Sequence, residues 1–239
     1  MGYEIAICET EAENAPCRAK KLHIIRIKMP DGKFEELQGH DMVVSLGDAK
    51  KAFPDFEAFL SRNRINPEST CIYLDKVKKD EDVAILGPLA KSVATGWVDL
   101  DKIDPSQRDE VLAAGDHYNE VTEWQETDFE EATAMCENCP LAWNKGKNCL
   151  ETFGPSNSKL PEIAQRCGCA IVASVPQSAE SGRKFASADA EALLKEVEIL
   201  RPALVADGKM AVHRYSGVLD RLEAMAKTCV DNNCGFYFF

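Results

Sequence analysis

Cys136, Cys139 and Cys149 stand in C-x2-C-x9-C spacing, and Cys167 and Cys169 come soon after, so five of the chain's ten cysteines crowd into one stretch. Thiol groups at such spacing suit the ligation of a soft metal. A C-x2-C turn sends two sulfurs into one coordination sphere, and cysteines from a later segment close it from the other side. Four thiolates are enough. The spacing selects Cys136, Cys139, Cys149 and Cys169, with Cys167 or Cys234 as alternative fourth ligands. If Cys167-Gly168-Cys169 begins a strand, its two alternate side chains share a face but sit well apart, and only one of them reaches the metal.

Three details bear on the identity of that metal. Cys139 is followed by Pro140, no histidine lies between Cys136 and Cys169, and the first pair lacks the similarly spaced second pair of a zinc ribbon. The Cys-Pro pattern resembles the ligand runs of iron-sulfur proteins, ferredoxins among them. That resemblance covers only the stretch 136–169 and brings no catalytic residues with it. It implies an iron-sulfur cluster of the [4Fe-4S] kind, with structural zinc as the alternative. Lys145 and Lys147, between ligands, would offset the charge of a thiolate-bound cluster, and Trp143 would shield it from water.

The other cysteines read differently. Cys8 and Cys71 fall in expected strands and belong to the core, while Cys229 extends the apolar face formed by Met225 and Ala226. Cys17, beside Pro16 and Arg18, is the candidate for a loop thiol of lowered pKa, which would make the chain a thiol-dependent enzyme. Such an enzyme needs a base, and His23, His40, His117 and His213 are the available imidazoles. No G-x-S-x-G, H-E-x-x-H or G-x-x-x-x-G-K-[ST] pattern occurs.

Net charge narrows the partners. At -12 the chain repels nucleic-acid phosphates and anionic lipid, so neither nucleic acid nor membrane is expected. The start lacks a basic and then apolar leader, and no apolar run approaches the roughly 20 residues that span a bilayer. Those features point to the cytoplasm, where thiols stay reduced and ten cysteines serve metal ligation better than disulfides. A habitat without oxygen tolerates that thiol load most easily.

Periodicity gives the elements that must position the thiols. An α/β (or α+β) fold is expected: an N-terminal mixed sheet with short helices over 1–100, an acidic, partly helical connector over 101–135, and a cysteine-rich α/β domain over 136–239. The stretch from Asp99 to Glu137 carries thirteen acidic residues against Lys102 and Arg108. Strands are expected at Tyr3 to Cys8, Leu22 to Met29, Met42 to Leu46, Thr70 to Leu74, Val83 to Leu86 and Ala170 to Val175. Pro30-Asp31-Gly32 should turn a hairpin back through Lys33 to Leu37, and Gly87-Pro88 should open a short helix ending near Gly96.

Helices are expected after Pro54 and from about Asp128, where Thr127 to Glu130 matches a capping box and the helix would deliver Cys136 at its end. From that helix to Ser158 the chain reads as loop. Ala190 to Leu200 and Val218 to Ala226 carry apolar residues at helical spacing, with His213 and Tyr215 ahead of the second helix, and Gly235 to Phe239 makes a terminal strand. Together these describe a cytoplasmic iron-sulfur protein that transfers electrons, or an accessory factor whose acidic surface docks a redox enzyme with a basic surface. The alternatives are a zinc-stabilised protein-interaction module and the thiol-dependent enzyme.

Overall fold

The structure, a computed structural model, describes residues 2–144 and 148–239. Helices combine with two antiparallel sheets, which makes the chain α+β within the expected class. It divides into two compact units. One joins the residues up to 23 with those from 122 onward, and the other is the intervening segment 24–121. This division differs from boundaries near 100 and 135. A shift in composition marks the acidic stretch, but strand pairing decides which segments belong together.

The discontinuous unit begins with β1 (Gly2–Ile7), whose second half is fully buried. The segment 24–121 then forms its own five-stranded sheet from β2 (Ile24–Lys28), β3 (Gln38–Ser45), β4 (Cys71–Tyr73), β5 (Lys91–Asp99) and β6 (Asp116–Thr122), in the order β4-β3-β5-β2-β6. Alternation along these strands buries Val44, Ile72, Ile27 and Val98. Helices Leu46–Ala52, Phe56–Asn63 and Asp80–Leu86 pack Ala49, Phe59, Leu60 and Leu86 with Val44 and Ile72, while Ile27 and Val98 join Met29, Leu100 and Val111 in a second cluster.

Three local expectations fail in this unit. The Pro30-Asp31-Gly32 turn does not close a hairpin, because Phe34 adopts a left-handed φ of 50° and a short helical turn at Glu35–Leu37 redirects the chain. β2 pairs instead with β5, Ile27 opposite Val98, and β3 pairs with β4 and β5. Val83 to Leu86 is helical, since Asp80, Glu81 and Asp82 place three carboxylates at the amide end of a helix dipole. Gly87-Pro88 does open a short helical turn, Gly87–Leu89, but it stops there, and Lys91–Asp99 is a strand, extended through Gly96 at φ 80°.

Back in the first unit, β7 (Leu150–Pro155), β8 (Lys184–Phe185) and β9 (Phe236–Phe238) complete a four-stranded sheet in the order β7-β1-β9-β8. Its Phe185 and Phe236 rings stack at 4.9 Å between centroids. Helices Ser187–Asp207 and Lys209–Asp231 cover this core through Leu193, Val197, Leu200, Leu219, Leu222 and Met225. The second of these already contains His213 and Tyr215, and the Tyr215 hydroxyl accepts from the Lys159 amide at 3.1 Å.

Ala170 to Val175 is helical rather than a strand. The Glu196 carboxylate accepts the Ile171 and Val172 amides at 2.8 and 2.9 Å, so a distant residue supplies the cap that local sequence lacks. Among the described residues no helix is long and apolar enough to cross a membrane.

Candidate metal centre

Helix Phe129–Glu137 starts at Asp128, whose carboxylate accepts the Glu131 amide at 2.8 Å, and it carries Cys136 in its last turn. The capping box forms one turn earlier, at Thr122 and Gln125. After the helix the chain folds tightly: the Cys139 amide bonds the Cys136 carbonyl at 3.2 Å, and the Ala142 amide bonds the Cys139 carbonyl at 3.0 Å. Cys149 stands directly before β7. Its carbonyl accepts the Ile7 amide at 3.1 Å, and the next residue, Leu150, pairs with Ala6 across the sheet. The antiparallel register therefore brings the segment after β1, with Glu9, alongside Cys149.

A cavity of about 210 Å³ opens at this place. Its walls include Cys17, Cys136, Cys139 and Cys149, together with Glu9, Lys21, Trp124, Met135 and Leu150. Cys17 arrives at the start of helix Arg18–Leu22. That helix is held by Lys20, whose ammonium lies 2.8 Å from Glu123 and 3.1 Å from Glu131, and by His23, whose Nδ1 lies 3.0 Å from Glu123. The Lys20 pairs link the Cys17 helix to the helix that carries Cys136.

Electrostatically, Cys139 is the thiol that links the group. The Cys139 thiol is raised in pKa chiefly by burial, against a lowering hydrogen bond from the Leu141 backbone, and Cys136 raises it further. Cys139 in turn acts on Cys17 and Cys149. Burial, and then the charge of Glu9, pushes the Cys149 thiol up to about 12, and this thiol donates to Glu9 Oε1 at 3.3 Å. Burial also raises Cys17 in spite of Lys21. A raised pKa and 7 % exposure are the reverse of the lowered, accessible thiol that a Cys17-based enzyme requires.

The structure thus gathers three of the sequence-predicted ligands, Cys136, Cys139 and Cys149, around one cavity. Cys169 is elsewhere. It is 1 % exposed, with Sγ 3.9 Å from the Cys167 carbonyl and 3.8 Å from the Glu196 carbonyl, and burial followed by Glu196 pushes its thiol up to about 11. Cys167 ends helix Leu160–Arg166 and leads into Gly168 at φ 73°, so the pair sits on a turn and not in a strand. Cys234 joins Cys229 and Cys8 in the core. Its hydrogen bond with Cys229, and then burial, holds the Cys229 thiol far above the ordinary range, and burial pushes Cys8 up to about 12.

Trp143 is buried, with no hydrogen-bond partner for its Nε1, and is not part of the cavity wall. Lys145 and Lys147 lie outside the described residues. Cys17, Glu9, Lys21 and Trp124 were not signalled by spacing, since strand pairing and the Lys20 pairs bring them in from distant segments.

Among the described residues no three His, Cys, Asp or Glu side chains converge as the shell of a single metal ion. The four cysteines stand around a cavity instead. In chemical terms they offer four soft donors, partly screened from water by Trp124, Met135 and Leu150 and accompanied by one half-buried ion pair, Lys21 with Glu9 at 2.9 Å. No protein-family model, curated protein or solved structure matches the chain.

Proposed function

We propose that this chain is an iron-sulfur protein, with a [4Fe-4S] cluster held in the cavity by Cys17, Cys136, Cys139 and Cys149. It works in the cytoplasm in one-electron transfer, or as an accessory factor to a redox enzyme. The observation that carries this reading is the presence of four cysteines, from three separate segments, in the wall of one cavity of about 210 Å³. A single zinc ion draws its thiolates to about 2.3 Å. Cysteines spread around a cavity suit a polynuclear core better.

Thiols that are protonated in the empty site must release protons on ligation, so loading is favoured by alkaline conditions. The partner reading rests on the helix that carries Cys136. At its start Phe129 is 83 % exposed and flanked in sequence by Asp128, Glu130 and Glu131, which fits a partner with a basic rim around an apolar contact.

Anaerobic purification, followed by iron, acid-labile sulfide and zinc analysis with a visible spectrum, tests the proposal. The expected protein is brown, with iron and sulfide in equal amounts, and Cys139→Ser loses both. A colourless protein with stoichiometric zinc would overturn it, and unaltered iron in Cys139→Ser would remove that residue from the ligand set.

A further inference from the structure

Lys21 is the one cation among the described residues that line the cavity. Its ammonium is held at 2.9 Å from Glu9 Oε1 and at 5.2 Å from the centroid of the Trp124 ring, so its position is fixed from two sides. The side chain is 24 % exposed and Glu9 14 %, which leaves the pair poorly screened by solvent. Burial disfavours the ammonium, yet the Glu9 hydrogen bond and charge outweigh that and keep Lys21 charged. Glu9 Oε1 also accepts the Cys149 thiol at 3.3 Å, so the pair adjoins a proposed ligand.

We infer that Lys21 sets the reduction potential of the cluster proposed for this cavity, raising it above the value the thiolates and Glu9 would impose alone. The inference rests on the iron-sulfur reading. Reduction adds one electron from an external donor and makes the thiolate-bound centre one charge more negative, with no bond made or broken. A fixed ammonium on the cavity wall favours that added charge, and a fixed carboxylate opposes it. Among the described residues, Lys21 is the one on the cavity wall that can offset the charge of a thiolate-bound cluster.

The test is an anaerobic potentiometric titration with dithionite, at one fixed pH, of protein reconstituted with ferrous iron and sulfide. Wild type, Lys21→Met, Lys21→Arg and Glu9→Gln are compared, each with its iron and sulfide content. With full iron throughout, Lys21→Met should make reduction about tenfold less favourable, a potential ~59 mV lower for a one-electron couple. Lys21→Arg should stay near wild type, and Glu9→Gln should move the potential upward. Equal potentials in fully loaded wild type and Lys21→Met would overturn the inference, as would a Lys21→Arg variant as low as Lys21→Met. If Lys21→Met fails to fold, Glu9→Gln decides, and an unchanged or lowered potential there refutes it. A wild type that takes up no iron and sulfide sinks the iron-sulfur reading itself, which the content assay separates from a failed potential shift.

Discussion

Replacing Cys17 and Cys169 separately by alanine distinguishes a ligand from a packed thiol, because the two side chains are almost equally enclosed. They are 7 % and 1 % exposed. Truncation of either removes about one methylene equivalent of buried volume, worth ~0.8 kcal/mol in transfer. A residual cavity on the order of 20 Å³ adds about 0.5 kcal/mol. Each variant of the metal-free protein should therefore lose ~1–2 kcal/mol, a fall in melting temperature of about 2–8 °C at this chain length. Packing predicts no difference between them. Ligation predicts a large one: after anaerobic reconstitution Cys17→Ala should lose the bound iron and the visible absorption, while Cys169→Ala keeps both. The assay is iron and sulfide per folded chain alongside thermal unfolding of the metal-free proteins. Loss of iron in Cys169→Ala with full retention in Cys17→Ala would refute the reasoning and restore Cys169 as the fourth ligand.

In the metal-free protein Cys149, held up to about 12, should resist iodoacetamide near pH ~8 until the chain unfolds, and Glu9→Gln should lower its pKa; rapid labelling of folded wild type at Cys149, read by peptide mass, would contradict this. That raised thiol also favours the folded state below its ordinary value of 9.0, a contribution lost between about pH 9 and 12, so the metal-free unit should weaken across this alkaline window in a pH series of urea melts. In the other unit, Asp82 accepts two hydrogen bonds from Arg62 at 2.8 and 2.6 Å and one from the buried Asn63 at 2.6 Å, so Asp82→Ala should cost ~2–4 kcal/mol. Arg62 holds the Asp82 carboxyl below its usual range, so the contribution is complete above that range and fades as pH falls through the lowered value; hydrogen exchange in helices Phe56–Asn63 and Asp80–Leu86 should show the wild-type advantage shrinking in acid. Gly235→Ala would set a Cβ 2.1 Å from the Phe185 carbonyl oxygen, and since backbone cannot give as a side chain can, a loss of at least ~1–3 kcal/mol is expected; an unchanged melting temperature would count against the β8–β9 register.

What could be read from the sequence depended on how local the determinant is. The two long C-terminal helices follow from apolar residues at helical spacing, and Leu193, Val197, Leu219 and Leu222 are buried as that spacing requires. β1 and β9 were legible for the same reason, since Ile5, Ile7, Phe236 and Phe238 alternate into one core. Thr70 to Leu74 does hold a strand, Cys71–Tyr73, but two other short apolar runs do not. Val83 to Leu86 and Ala170 to Val175 are rich in strand formers, yet three acidic residues at one N-terminus and the remote Glu196 carboxylate at the other make both helical. The same contrast governs the site. Cys136, Cys139 and Cys149 lie within one short segment and their spacing could be recognised. The wall formed by Cys17, Glu9 and Lys21 depends on the pairing of β1 with β7 and on Lys20 reaching Glu123 and Glu131.

The place of Cys17 in the chain changes what a bound cluster would do to stability. Cys17 precedes the compact segment 24–121, and Cys136 comes after it, so a shared cluster would tie together the two pieces of the discontinuous unit. By the loop-closure relation for a cross-link, closing on the order of 100 residues stabilises by ~4.7 kcal/mol, whereas a tie from Cys149 to Cys169 closes a far shorter loop and yields nearer ~3 kcal/mol. Both estimates act through the unfolded chain, which a thiolate-bound cluster restricts as a disulfide does. The sheet already sets the Ile7 amide 3.1 Å from the Cys149 carbonyl, so little native strain opposes the tie on that side. A cluster in this cavity would thus act as the fastening between the two separated pieces of one unit. Holding the cluster and holding the unit closed would then be one free-energy term.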